Sequence, residues 1–189
     1  MGSPAFARIV DIDENPFALD AGISPVELRQ AFRNHPGGVA VITADDGTGP
    51  VGLTATSVVS VSAEPPLFSF SLSSASPTSQ VIVNADSVVI HLLGADQLRI
   101  AKLFSTKGVD RFGDTNSWAR LPTGEPYLVN APVWVRGRVV ERLRMRAGTS
   151  IVIACHALQA HNSAGGDNAG LVYHDGAWHQ LGPHSKMPA

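Results

Sequence analysis

Short β-prone segments separated by glycine and proline turns are the feature of this 189-residue chain that most restricts its fold. The clearest segment runs from Leu67 to Leu72, where serines alternate with Phe68 and Phe70. Such alternation is typical of a strand that buries one face. Asp175-Gly176 further predicts a type I′ hairpin turn. The predicted strands cover residues 39–43, 51–62, 67–72, 87–93, 133–143, 150–158 and 173–181.

Helix signals interrupt this pattern at only a few places. Ser24-Pro25-Val26-Glu27 combines an N-cap serine, a first-turn proline and a capping-box glutamate, and the helix ends before His35-Pro36-Gly37-Gly38. We expect Leu28, Phe32 and Ala31 to form its buried stripe. Two more helices are predicted at residues 77–84 and 95–105.

The order of elements predicts an all-β fold with a few short helices, a Greek-key β-barrel. Alternating βαβ units are absent and no GxGxxG motif follows a strand, which argues against a Rossmann domain. We expect one domain over residues 23–182, with a lead-in at 1–22 and a tail at 183–189.

Composition excludes several classes of protein. Hydrophobic residues make up 44% and charged residues 16%, so the chain is not of the disordered type. The 14 basic residues do not exceed the 16 acidic ones, which disfavours nucleic-acid binding. The single cysteine, Cys155, excludes an intrachain disulfide. Because neither a secretory signal nor a membrane-spanning stretch is visible, we expect a cytoplasmic protein that binds no membrane.

Two segments carry hydroxyl groups in an arrangement that suits a ligand. Residues 52–57 place Thr54, Thr56 and Ser57 among small residues, so a planar ligand can lie against the backbone. An edge strand with hydroxyls facing water explains the same pattern. Residues 71–79 join a strand to a helix, where Ser76 and Thr78 can bind a phosphate. Ordinary N-capping by Ser76 is the alternative.

A third segment, residues 104–112, supplies positive charge. Lys107 or Arg111 can reach the same anion, although both can equally be solvated loop residues. The three segments, in this order, resemble the flavin reductase-like family with the FMN-binding split-barrel fold. This family includes the small reductase components of two-component flavin monooxygenases. The resemblance covers the chain from near the first helix to about Leu181.

The resemblance implies a cofactor site and a donor. It indicates bound FMN, or FAD, reduced by NADH or NADPH, in a homodimer that supplies reduced flavin to a monooxygenase. It assigns no catalytic side chain and no metal. The residues that it assigns to the flavin are Thr54, Ala55, Thr56, Ser57, Ser71, Ser73, Ser76, Thr78, Ser105 and Lys107.

The donor site departs from the family pattern. Many members carry a Gly-Asp-His triplet that helps to place the nicotinamide donor, whereas this chain has Gly148-Thr149-Ser150. By position, Ser150, Tyr173 and His174 are the residues assigned to the donor. Two alternatives therefore stay open: a flavoprotein of the same fold without nicotinamide reductase activity, and a flavin-free β-barrel interaction module.

The remaining reactive residues have simpler interpretations. Seven histidines show no metal-binding motif, although His174 and His179 flank one turn. Cys155 is expected to pack as a small hydrophobic residue. A stretch of alternating arginines is either a solvated strand face or a patch for the donor's phosphates: Arg136, Arg138, Arg142, Arg144 and Arg146.

Overall fold

A computed structural model describes residues 22–145, 148–163 and 169–188. The predicted lead-in therefore lies almost entirely outside the described residues, as does Arg146. The helices are α1 (Pro25–Arg33), α2 (Pro77–Asn84) and α3 (Leu98–Ser105), with 3₁₀ turns at Ala95–Gln97 and Pro183–Ser185. The described strands are β1 (Gly37–Gly38), β2 (Ala40–Ala44), β3 (Val51–Ala55), β4 (Val59–Ser62), β5 (Leu67–Ser73), β6 (Ser87–Leu92), β7 (Trp118–Arg120), β8 (Pro126–Leu128), β9 (Val133–Arg144), β10 (Ser150–Asn162), β11 (Leu171–His174) and β12 (Ala177–Gln180).

The strands form three antiparallel sheets. The largest has seven strands in the order β3-β2-β6-β9-β10-β5-β4, and the closing hairpin β11-β12 pairs with β1. A third, two-stranded sheet is made of β7 and β8. The mostly-β fold with short helices that the sequence predicts is confirmed. In the part of the chain that the structure describes, β3 and β4 are the edges of the large sheet, which does not close on itself.

The main core follows the predicted strand patterning. Phe68, Phe70 and Leu72 point inward from β5 and are buried, as their alternation with serine predicts. They pack with Ile42 of β2 and Ile153 of β10 in one hydrophobic cluster. Gly137 of β9 leaves room for Phe68, because a Cβ at Gly137 would lie 2.5 Å from Cζ of that ring.

The predicted burial of the first helix is wrong. The capping box forms, with Glu27 N donating to Ser24 Oγ and Ser24 N donating to the Glu27 carboxylate. However, none of the α1 residues is buried, and Leu28 and Phe32 are 50% and 64% exposed. The capping signals are local and fix where a helix begins, whereas burial needs a packing partner that local sequence does not reveal.

Several boundaries also differ from the sequence prediction. Residues 51–62 form two strands rather than one, and the predicted helix at 95–105 begins with a 3₁₀ turn. Strands β7 and β8 were not predicted, because each has only three residues and carries too little pattern. The helix at Pro77–Asn84 is confirmed. At the predicted hairpin turn, Asp175 and Gly176 have φ of 49° and 78°, as a type I′ turn requires.

No described helix has the length and apolar character needed to cross a membrane.

Candidate flavin and donor sites

A pocket lies at the N-terminus of α2. It has a volume of about 600 Å³, and its walls include Ser73, Ser76 and Thr78 together with Lys107. Ser76 stands at the N-cap position, but its side chain makes no capping hydrogen bond. The Ser76 hydroxyl therefore does not cap the helix, as the alternative interpretation required. The backbone N–H groups in the first turn of α2 stay available for an anion.

Arg111 forms the positively charged wall of this pocket. Its guanidinium donates to the carbonyl oxygens of Gly52 (2.9 Å) and Thr106 (2.7 Å) and to Thr78 Oγ1 (3.2 Å). Its Nε is buried without a hydrogen-bond partner. Burial lowers the pKa of Arg111 from its usual value, but arginine stays charged near neutral pH. From the sequence, Arg111 and Lys107 were alternative cations for this anion. The hydrogen bond to Thr78 now favours Arg111.

The residues at the end of strand β3 and just after it have different surroundings. Thr54 Oγ1 donates to the carbonyl oxygen of Ala101 in α3 (2.7 Å), and Ala55 is buried in the main core. Thr56 is exposed beyond the strand end. Ser57 Oγ both donates to the Ser71 carbonyl and accepts from the Ser71 N–H, each at 3.1 Å. Thr56 and Ser57 also line a pocket, which lies beside the closing hairpin.

Packing explains why β3 has a glycine at position 52. A Cβ at Gly52 would lie 2.6 Å from Cε1 of Phe104 and 3.0 Å from the Ile42 carbonyl oxygen. The small residue therefore makes room for the Phe104 ring of α3. Ser105, in the same helix, donates to the Lys102 carbonyl oxygen (2.9 Å) and does not line the first pocket.

A second pocket, of about 620 Å³, lies between α1 and the closing hairpin. Thr56 and Ser57 form one wall, and Tyr173 and His174 form another. Tyr173 is directly opposite Gly37 in the pairing of β11 with β1. Since Ser57 bonds to the backbone of Ser71 in β5, this contact links the second pocket to the strand that leads to the first.

The three predicted donor residues do not lie together. Ser150 is directly opposite Ser73 in the pairing of β10 with β5, beside the first pocket. The Thr149 carbonyl oxygen also accepts from Ser74 N (2.7 Å). Tyr173 and His174, by contrast, line the second pocket.

Comparison with known proteins identifies the family. Residues 32–182 match the flavin reductase like domain family. The chain belongs to the flavin reductase family. An NADH:FMN oxidoreductase of Rhodococcus qingshengii is 42% identical over 168 residues, which is 87% of this chain and 86% of the relative.

Solved structures of flavin reductases share the fold. A flavin reductase domain protein from Arthrobacter sp. FB24 has a TM-score of 0.76 at 32% identity, covering 84% of this chain and 96% of that one. BorF, the flavin reductase component of a bacterial two-component tryptophan halogenase, has a TM-score of 0.74 at 27% identity, covering 84% of this chain and 99% of BorF.

The residues of this flavin reductase fit a phosphate-bearing flavin. Arg111, whose buried Nε has no hydrogen-bond partner, lines one pocket together with Ser76, whose hydroxyl makes no capping bond, and the exposed Lys107. Hydrogen bonds between such groups and a phosphate are charge-assisted and strong. The hydrogen-bond donors of this pocket therefore suit a phosphate monoester.

Other reactive residues of the flavin reductase serve the fold. His91 is fully buried, with Nδ1 on the Val41 carbonyl oxygen (3.1 Å) and Nε2 accepting from Leu128 N (3.0 Å), and burial lowers its pKa to about 4. Burial raises the pKa of Cys155 to about 12, which makes it unreactive, as its sequence context predicts. The rings of His174 and His179 lie 5.5 Å apart. Within the described ranges, no group of three or more metal-ligating side chains is found.

The arginines of β9 differ in their contacts and in their exposure. Arg136 Nε bonds to the buried Glu125 carboxylate (2.7 Å), and Arg142 donates to the carbonyl oxygens of Val83 (2.7 Å) and Ala85 (2.8 Å) at the C-terminus of α2. Arg138 and Arg144 are exposed. In the part of this stretch that the structure describes, the arginines therefore form neither a fully solvated strand face nor one common phosphate-binding patch.

Proposed function

We propose that this protein is an NADH:flavin oxidoreductase that reduces FMN and delivers it to a partner monooxygenase. The observation that carries the proposal is the pocket at the start of α2, where Ser76, Thr78 and Arg111 offer unused or redirectable donors. The 42% identity to an NADH:FMN oxidoreductase over most of both chains supports the same activity.

The phosphate of FMN binds in the first pocket. Thr78 and Arg111 are already within 3.2 Å of each other and can both turn toward a phosphate oxygen. Lys107 adds a flexible charge at the rim, and Ser73 and Ser76 add hydroxyls. Ser71, together with Thr56 and Ser57 beside it, would hold the ribityl chain. Thr54, Ala55 and Ser105 position these groups through the backbone and helix α3.

Thr56 and Ser57, which line the second pocket, would hold the ring of the flavin. A bound flavin would supply the hydride acceptor, and the reduced nicotinamide would be the donor that is oxidised. The chain binds both partners, excludes water from one ring face and presents backbone N–H groups to the ring edge where negative charge accumulates. No side-chain acid is required for this transfer, so none is assigned.

NADH is the donor that we assign, with NADPH the weaker alternative. FAD can replace FMN only if its extra nucleotide extends out of the first pocket past Lys107 and Gly108. BorF belongs to a two-component system, which supports a second protein that takes up reduced flavin.

The assembly, compartment and boundaries belong to the same proposal. We assign a cytoplasmic split-barrel homodimer, with one domain over residues 23–182, a lead-in at 1–22 and a tail at 183–189. Val59 and Val61 of the edge strand β4 are 54% and 56% exposed, which favours a subunit contact there. The family match over residues 32–182 supports the C-terminal boundary at 182.

Anaerobic stopped-flow absorbance near 450 nm tests the activity. Protein loaded with FMN is mixed with NADH and, separately, with NADPH. Rapid bleaching with NADH, well above the rate for free FMN, is the expected result. A spectrum that stays oxidised with both donors would contradict the reductase assignment.

One observation favours a second candidate, a flavoprotein that does not use nicotinamide. The positions matching the Gly-Asp-His triplet hold Gly148-Thr149-Ser150, and a serine cannot change protonation near neutral pH as a histidine can. Tight FMN binding together with no bleaching in the same experiment would support this candidate.

A further inference from the structure

We propose that helix α1 and the closing hairpin form the binding site for the phosphates of the nicotinamide donor, with Arg29 as its main cation. The inference rests on the proposed reductase function and adds residues that the family resemblance does not assign. It explains a helix whose capping is well formed but whose residues are all exposed.

Helix α1 is attached to the hairpin through polar contacts. Arg33 forms an ion pair with the Asp175 carboxylate, and Asp175 N donates to the Arg33 carbonyl oxygen (3.0 Å). These contacts fix the last turn of α1 against the hairpin turn. The second pocket lies between them, with Arg29, Phe32 and His35 on the helical side.

The charge in this pocket is not balanced. Asp175 neutralises Arg33, and the one carboxylate of α1, Glu27, bonds to Ser24. Arg29 is exposed, and no described residue forms an ion pair or hydrogen bond with its side chain. A single free guanidinium at the mouth of a pocket attracts an anion.

The pocket also offers aromatic surfaces. Phe32 is 64% exposed and meets the His35 ring edge-on at 6.1 Å, and Tyr173 is 38% exposed on the opposite wall. Exposed rings beside a free arginine suit a ligand with both planar rings and phosphates. A nicotinamide dinucleotide has this combination.

The second pocket also lies beside the residues that we assign to the flavin ring, as hydride transfer from the donor requires. Thr56 and Ser57 form part of the same pocket, and they are the two β3-end residues that we place beside the flavin ring. By contrast, Ser150 lies opposite Ser73 next to the phosphate pocket. The donor is therefore held from the α1 side.

Calorimetric titration of the FMN-loaded full chain with NAD⁺ tests the site without relying on turnover. R29Q should weaken NAD⁺ binding about tenfold, the loss of one charge-assisted hydrogen bond, and R29K should recover part of it. The affinity for FMN should not change. R99Q is the matched control, because Arg99 is also exposed on a helix but lines neither pocket.

Three outcomes would overturn the inference. The first is equal NAD⁺ affinity for R29Q and wild type. The second is a loss confined to R138Q, which would move the phosphates to the exposed face of β9. The third is a change in the size of R29Q by light scattering, which would make α1 a subunit contact. Failure of the reductase function itself is separate, since wild-type protein would then bleach with neither donor.

Discussion

Ser73 and Ser150 are directly opposite each other where β5 pairs with β10, and the next residues are joined by a hydrogen bond of 2.7 Å from Ser74 N to the Thr149 carbonyl oxygen. Side chains of opposed residues in an antiparallel pair project to the same face of the sheet. The strand that supplies the phosphate loop is thus tied to the segment that replaces the Gly-Asp-His triplet of many relatives.

Restoring that triplet should not improve use of the donor. T149D/S150H places an imidazole opposite Ser73, beside the pocket assigned to the FMN phosphate and outside the α1 pocket assigned to the donor. We therefore expect the KM for NADH to stay at the wild-type value. Steady-state kinetics with saturating FMN measures this. A KM about fivefold lower, equivalent to about 1 kcal/mol for one hydrogen bond, would mean that the triplet position contacts the donor in this protein.

Removing the phosphate-loop hydroxyls should weaken FMN binding. S76A/T78A is expected to lose about 1–3 kcal/mol of FMN binding free energy, because each hydroxyl bonds to a charged group. Stability should change little at Ser76, whose side chain makes no capping bond. Flavin fluorescence titration measures the affinity, and S60A, an exposed serine on the edge strand β4, is the control. Equal affinity in S76A/T78A and S60A would place the phosphate elsewhere.

Arg111 should matter more than Lys107. R111Q removes a half-buried guanidinium whose Nε has no partner, and we expect FMN affinity to fall by about 2 kcal/mol. K107Q should cost less than about 1 kcal/mol, since Lys107 is exposed and its charge is screened by water and salt. Titrations at low and high salt compare the two. A larger loss in K107Q would reverse the assignment.

Gly52 should not tolerate a side chain. G52A drives a Cβ into the Phe104 ring and the Ile42 carbonyl, and overpacking of this kind costs about 1–3 kcal/mol of unfolding free energy. Urea denaturation measures the change. G38A is the matched control, because nothing lies within 4 Å of a Cβ there. If both variants are equally stable, α3 does not pack against β3 as described.

Acid should destabilise the protein through His91. Burial lowers the folded-state pKa of this histidine from 6.5 to about 4, so between these values the unfolded chain binds a proton that the folded protein does not. Stability is therefore lost as the pH falls from about 6.5 to about 4, by roughly 3 kcal/mol in total. Urea unfolding across this range measures the loss.

An NMR titration of the imidazole provides an independent check on His91. The ring should stay neutral down to about pH 4, so its resonances should keep their neutral-form shifts above that pH. A His91 signal that titrates near pH 6.5 would contradict the buried, doubly bonded ring.

Local sequence is enough to predict most of the strands, the capped start of α1, the closing turn at Asp175-Gly176 and the family. These features depend on local chemistry: alternation sets the buried face of β5, and a proline next to a serine sets where a helix begins. The resemblance also named Ser76, Thr78 and Lys107, which the structure brings to one pocket.

Which hydroxyl groups lie at a pocket depends on contacts between distant segments of the chain. Thr54 and Ser57 look alike in the sequence, yet Thr54 bonds to Ala101, 47 residues away, whereas Ser57 bonds to Ser71 at the edge of a pocket. The apolar stripe of α1 likewise predicted burial, but no element packs on it in the described chain. Periodicity reports which residues share a face, while the partner of that face is set by contacts between segments far apart in the chain.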